Sequence, residues 1–138
     1  MTHPCSPFDA LGGLIYFPRM LDKIRLKQRG ELAESYLPLL GKGFDGRLCG
    51  YLGISYGEVV EKVEAGATDD EILDWTRSEG VPLNETHVLI WNGFSVKRGW
   101  DDDGTPVLDG FKKELGIEDR DDVRSFLDYI EVEEGRRP

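Results

Sequence analysis

Histidine, cysteine and methionine are scarce in this chain, two of each in 138 residues. Cys5 and Cys49 stand in unrelated contexts, and no C-x-x-C pair exists. A disulfide framework and a thiolate zinc site are therefore not expected, and the cysteine usage fits a reducing cytoplasm. His3 lies in what reads as a short N-terminal tail, about residues 1–7, and His87 has no histidine four residues away. A histidine-based metal site is not expected either, so no metal and no cofactor are assigned. Neither G-x-x-x-x-G-K-[ST] nor G-x-G-x-x-G occurs, which removes the usual cradles for nucleotide phosphates. No apolar run approaches the ~18 residues of a membrane span. Met1 to Cys5 has neither the basic flank nor the apolar core of an export signal.

Positive charge is also in short supply, with 17 Lys and Arg against 27 Asp and Glu, a net of −10. The imbalance is uneven. Residues 1–100 carry 14 acidic and 11 basic side chains, and residues 101–138 carry 13 and 6. Such a surface repels nucleic acid and anionic lipid, so neither general nucleic-acid binding nor membrane association is expected. The local exception is Arg19 to Arg29, where five basic residues face only Asp22. A solvated helix face explains that run. A partner surface through Arg25, Lys27 and Arg29 is the other reading.

What the sequence has in quantity is helical code. Its length suits one domain spanning 1–138, with a second tail at about 135–138. Phe17, Met20, Leu21 and Ile24 recur at helical spacing, with Pro18 in the first turn and Gly30 at the stop. A short helix over about Asp45 to Leu52 closes at Gly53, and Gly46 and Gly50 within it either lean on neighbours or admit a close backbone. Ser55/Glu58 and Thr68/Glu71 are both S/T-x-x-E capping boxes, and Gly66-Ala67 joins their helices into a tight αα-hairpin over about 55–80. A fifth helix runs from Asn84 towards Arg98. Apolar on most sides, it should be central. Thr105-Pro106 starts a sixth, with Leu108, Phe111 and Leu115 on its inner face and Gly116 as stop. A last helix begins near Asp119 to Asp122 and buries Val123, Phe126, Leu127 and Ile130. Leu11 to Phe17 is the one stretch that could be extended instead of helical. The fold class that follows is all-α, a single domain of six or seven short helices.

Catalytic signatures are few. Asp101-Asp102-Asp103-Gly104 fails as a calcium loop, because aligning Gly104 to its sixth position puts Gly99 first and Gly110 twelfth, where carboxylates are needed. Trp75, Trp91 and Trp100, with Tyr36, Tyr51 and Tyr56, read as core aromatics. Cys49 has no base beside it, which argues against a nucleophile. The first helix is more informative. At ~100° per residue Arg19, Asp22, Lys23 and Leu26 share the face opposite the apolar stripe. A leucine in the middle of that face implies a covering neighbour, and then the charges need partners, since unpaired buried charge is costly. Two readings stay open. One is a structural ion-pair cluster reaching Asp45 or Tyr36. The other is a cationic pocket for a carboxylate or phosphate, with Arg19, Asp22, Lys23, Tyr36 and Asp45 as binding residues.

Leu11-Gly12-Gly13 and the run Phe17-Pro18-Arg19-Met20-Leu21-Asp22-Lys23 resemble the opening of domain-of-unknown-function family 5069. Leu52-Gly53-Ile54, Val63 to Gly66 and Thr68 to Trp75 are similar to its middle, and Phe126-Leu127-Asp128-Tyr129 with Glu134-Gly135-Arg136 to its end. The resemblance spans about residues 6–136. It implies a small bacterial-type protein without an assigned activity, and it carries no catalytic residues. Two function classes follow from the residues: a binding or interaction domain with an anion-favouring cluster on its first helix, or a small cofactor-independent enzyme. In the second, Asp22 is the base or orienting carboxylate, and Arg19 and Lys23 hold an anionic metabolite. The ligand or protein partner and the oligomeric state are left open.

Overall fold

Most of the stretch left open between extended and helical lies in a minimal hairpin, and its last residue, Phe17, opens the first helix. β1 (Ala10–Leu11) pairs antiparallel with β2 (Leu14–Ile15), with Ala10 opposite Ile15 and Leu11 opposite Leu14. Gly12 and Gly13 make the turn at φ +59° and +82°, where a side chain would be strained. A Cβ on Gly12 would also lie 2.8 Å from a Leu73 methyl. In this computed structural model residues 2–138 are described, and everything besides the hairpin is helix, turn or loop. The chain divides into two compact units, one ending at Leu89 and the other spanning Ile90–Pro138.

In the first unit, α1 (Phe17–Gln28) follows the hairpin directly, with Pro18 in its first turn. It buries Phe17, Met20, Leu21 and Ile24, the stripe read from the sequence, and it also buries Arg19, Lys23 and Leu26. A 3-10 turn over Glu34–Leu39 leads to α2 (Phe44–Leu52), which ends on Gly53 in the left-handed region at φ 73°. Gly46 is where α2 needs a missing side chain, since a Cβ there would meet the Gly41 carbonyl oxygen at 2.9 Å. The αα-hairpin is α3 (Tyr56–Glu64) and α4 (Asp69–Glu79). Thr68 and Glu71 form the full reciprocal capping box, while at α3 the Ser55 Oγ accepts the Glu58 N–H at 3.5 Å. The core of this unit is Leu14, Phe17, Met20, Leu21, Leu26, Leu48, Leu52, Val59 and Ile72.

α5 (Glu85–Lys97) begins in the first unit and ends in the second, with Asn84 Oδ1 accepting the His87 N–H at its start. It is not the enclosed central helix its composition suggests. Trp91 and Ser95 are buried, whereas Leu89, Ile90, Phe94 and Val96 are exposed, Leu89 to 71%. Apolar residues spread all round a helix do not say which side is covered.

The second unit also holds α6 (Thr105–Leu115) and α7 (Phe126–Glu133), which pack on each other. α6 is covered along one edge of the face expected. Leu108 is buried as expected and Lys112 with it, whereas Phe111 and Leu115 stay partly exposed. The reason is the Lys112 ammonium, which donates to the carbonyls of Arg120 at 2.8 Å and Val123 at 3.0 Å and so draws its side of the helix under the following loop. That loop also displaces the last helix. α7 starts at Phe126, not near Asp119 to Asp122, because Ser125 and Asp128 make a complete capping box. Val123 is buried as expected but from the loop, and Leu127 from the helix. Seven α-helices and a two-stranded hairpin make the described chain predominantly helical.

Candidate functional site

The five residues singled out on charge come from three elements of the first unit. Arg19, Asp22 and Lys23 are on α1, Tyr36 is in the 3-10 turn, and Asp45 is in the first turn of α2. Lys23 Nζ lies 2.8 Å from Asp45 Oδ1, with Lys23 5% and Asp45 0% exposed. The other Asp45 oxygen accepts the Gly41 N–H at 3.1 Å. The carboxylate is thus held by a lysine and a backbone amide, the partnering a buried charge requires.

A residue not singled out from the sequence joins them. The Tyr16 hydroxyl donates to Asp45 Oδ1 at 2.7 Å and accepts from Lys23 Nζ at 2.8 Å. Burial first, and then the Asp45 carboxylate, push the Tyr16 phenol well above its ordinary pKa, so it remains a neutral donor. Tyr16 is the residue before α1 and takes a left-handed backbone at φ 74°. A bulky residue there costs about 1–3 kcal/mol and persists only where its surroundings over-determine it.

Arg19 is 3% exposed. Its Nη1 donates to the Cys5 carbonyl at 3.1 Å, and its guanidinium sits 5.9 Å from the centre of the Tyr36 ring. Asp22, half-buried, uses Oδ2 to accept the Cys5 N–H at 2.8 Å. Arg19 and Asp22 thereby grip both sides of one peptide residue and lay the N-terminal segment along α1. That segment is the expected N-terminal tail, and it is tied down, with Pro4 and Pro7 buried. The half-buried Tyr36 hydroxyl meets the exposed His3 at Nδ1, 3.1 Å away, so the cluster reaches solvent through Tyr36 and His3.

The thiols nearby are weak nucleophiles. Burial, then Asp45, pushes Cys49 up to about 12, and its Sγ lies 3.7 Å from Met20 Sδ. Burial, then Asp22, does the same to Cys5, also to about 12. The basic run is largely matched within the chain. Arg25 pairs with Asp69 at 2.6 Å and Arg29 with Glu31 at 3.0 Å, while Lys27 is exposed. Among the described residues no group of three or more His, Cys, Asp or Glu side chains is placed to hold a metal ion. Among the described residues no helix is long and apolar enough to cross a membrane.

The model of one protein family, described as "Domain of unknown function (DUF5069)", matches residues 1–136. The chain belongs to that family. Characterised proteins gave no match. The DUF5069 match takes in every residue of the cluster, from His3 at its rim to Asp45 at its base, and brings no assigned activity with it.

Proposed function

We propose that this DUF5069 chain is a binding domain and that its site is the polar cluster on the back of α1. The ligand is a small anion, a carboxylate or phosphate, received at the His3 and Tyr36 rim, with Arg19 against the Tyr36 ring and Lys23, Tyr16 and Asp45 further in. The observation that carries the reading is Tyr16, held at φ 74° with its hydroxyl bonded to both Lys23 and Asp45. Strained backbone and a buried ion pair each do little for stability compared with an apolar alternative, and their coincidence is characteristic of functional sites. An anion suits the site because an arginine lies against the Tyr36 ring, and a guanidinium matches a carboxylate or phosphate in two-pronged geometry. Asp22 serves as the orienting carboxylate, keeping the N-terminal segment across the site.

Thermal unfolding in inorganic phosphate and in short dicarboxylates, with chloride at equal ionic strength as reference, tests this. Ligand at 100 times its Kd stabilises the folded state by about 2.7 kcal/mol, a shift of roughly 10 °C or more. The shift should appear in the unmodified protein and disappear in Arg19→Lys and Tyr36→Phe. The Tyr36 variant changes a half-buried side chain and retains the fold. No anion-specific shift, or one unchanged in both variants, overturns the reading.

A further inference from the structure

We infer that the aromatic face shared by α6 and α7, made of Phe111, Phe126 and Tyr129 and edged by Glu114 and Glu133, docks an amphipathic helix of a partner protein that carries arginine or lysine beside its apolar stripe. The face lies in the second unit and is independent of the anion site. Phe111 packs against Phe126 with ring centres 6.1 Å apart and against Tyr129 at 5.7 Å, yet remains 41% exposed. Val107 at 53% and Leu115 at 40% extend it along α6 at intervals of four. That interval makes one ridge ~12 Å long, the relief into which a second helix packs.

Charge selects the occupant. Glu114 is on α6, three residues from Phe111, and Glu133 is on α7; both are close enough to raise the Tyr129 pKa, after burial as the leading cause. The cations near this face are engaged elsewhere, Arg98 beside the Phe126 ring being paired with Asp102 and Asp103. Lys112 is turned under the loop to hold the Arg120 and Val123 carbonyls, and Lys113 falls on the far side of α6 at ~100° per residue. A guanidinium or ammonium on the incoming helix would meet carboxylate and ring face together, gaining an ion pair and a cation–π contact. A second copy of this chain would bring glutamates against glutamates, and an anionic membrane would be repelled.

The test is fluorescence anisotropy with a labelled amphipathic peptide of leucine and arginine at ~150 mM salt, alongside its leucine and glutamate twin. The arginine peptide should bind saturably and the glutamate twin should not. Affinity should fall at least tenfold in Phe111→Ser and in Glu114→Lys, and should hold in Glu61→Lys, which makes the same charge change on exposed α3. Glu114 is fully on the surface, so its variant folds even where the Phe111 variant does not. Equal losses in Glu114→Lys and Glu61→Lys would mean bulk attraction only and overturn the inference. So would absence of binding, or a concentration-dependent dimer that Phe111→Ser abolishes.

Discussion

Replacing Lys23 by methionine isolates the energetic centre of the first unit. Methionine keeps most of the length of the lysine stem and removes only the ammonium. Asp45, 0% exposed, then retains the Tyr16 hydroxyl and the Gly41 N–H but has no counter-charge. Breaking one side of a buried ion pair costs about 3–5 kcal/mol, because the remaining charge is left in a medium that solvates it poorly. For a unit of this size 1 kcal/mol moves Tm by about 4–8 °C, so a fall of at least ~12 °C is expected in a circular-dichroism melt. Adding Asp45→Asn to the methionine variant removes the stranded charge and keeps an acceptor for Tyr16. Its amide NH2 then faces the Gly41 N–H, so recovery is partial, about 1–3 kcal/mol. Urea unfolding of the wild type, both single variants and the double variant gives the coupling directly. A loss below ~1 kcal/mol for Lys23→Met would show a pair solvated like a surface bridge. Strict additivity of the two substitutions would show that the residues do not interact. Either result refutes the account of a closed network.

Two other perturbations read separate parts of the first unit. Cys5 and Cys49 both have a folded-state pKa raised to about 12 from the usual 9, so the stability they contribute is whole below pH 9 and is lost as pH rises through 12. Alkylation at pH 8 should be slow at both thiols in the native protein and fast in urea, and rapid native labelling of Cys49 would contradict its burial. Gly80→Ala should destabilise strongly, since the new Cβ would sit 2.2 Å from the Leu52 carbonyl oxygen, while Gly50→Ala meets nothing within 4 Å and should stabilise α2 by about 0.5–1 kcal/mol. Equal effects at the two glycines, measured by chemical denaturation, would sink the distinction.

Local code was legible where one signal had one cause. Thr68 and Glu71 can do little together other than cap a helix, and they do so at α4. Leu26 gave the most return, since a leucine among charges required a second neighbour for α1, and it is 1% exposed. The failures share a physical form. Leu108, Phe111 and Leu115 are all apolar and all near one side of α6, but only tertiary contact decides which edge of that side is covered. A lysine settled it by reaching carbonyls eight and eleven residues downstream. The acidic run Asp119 to Asp122 resembled a helix start because negative charge suits both a first turn and a solvated loop. The discriminating pair, Ser125 and Asp128, began three residues further on.

The candidate site was half legible for a related reason. Charges on a helix face announce that partners are needed, and Arg19, Asp22, Lys23, Tyr36 and Asp45 do lie together. A phenol announces nothing, and no sequence pattern marks a tyrosine for the left-handed region. Yet Tyr16 is the residue whose placement is hardest to explain by stability alone. Its backbone costs about 1–3 kcal/mol, and the ion pair it joins is no better for folding than well-packed apolar side chains of the same volume. Selection for stability by itself would replace Tyr16, Lys23 and Asp45 with ordinary core residues and lose nothing. On the proposed binding reading, the three supply a polar floor behind an arginine set against a solvent-reaching tyrosine and histidine, which apolar core residues would not provide.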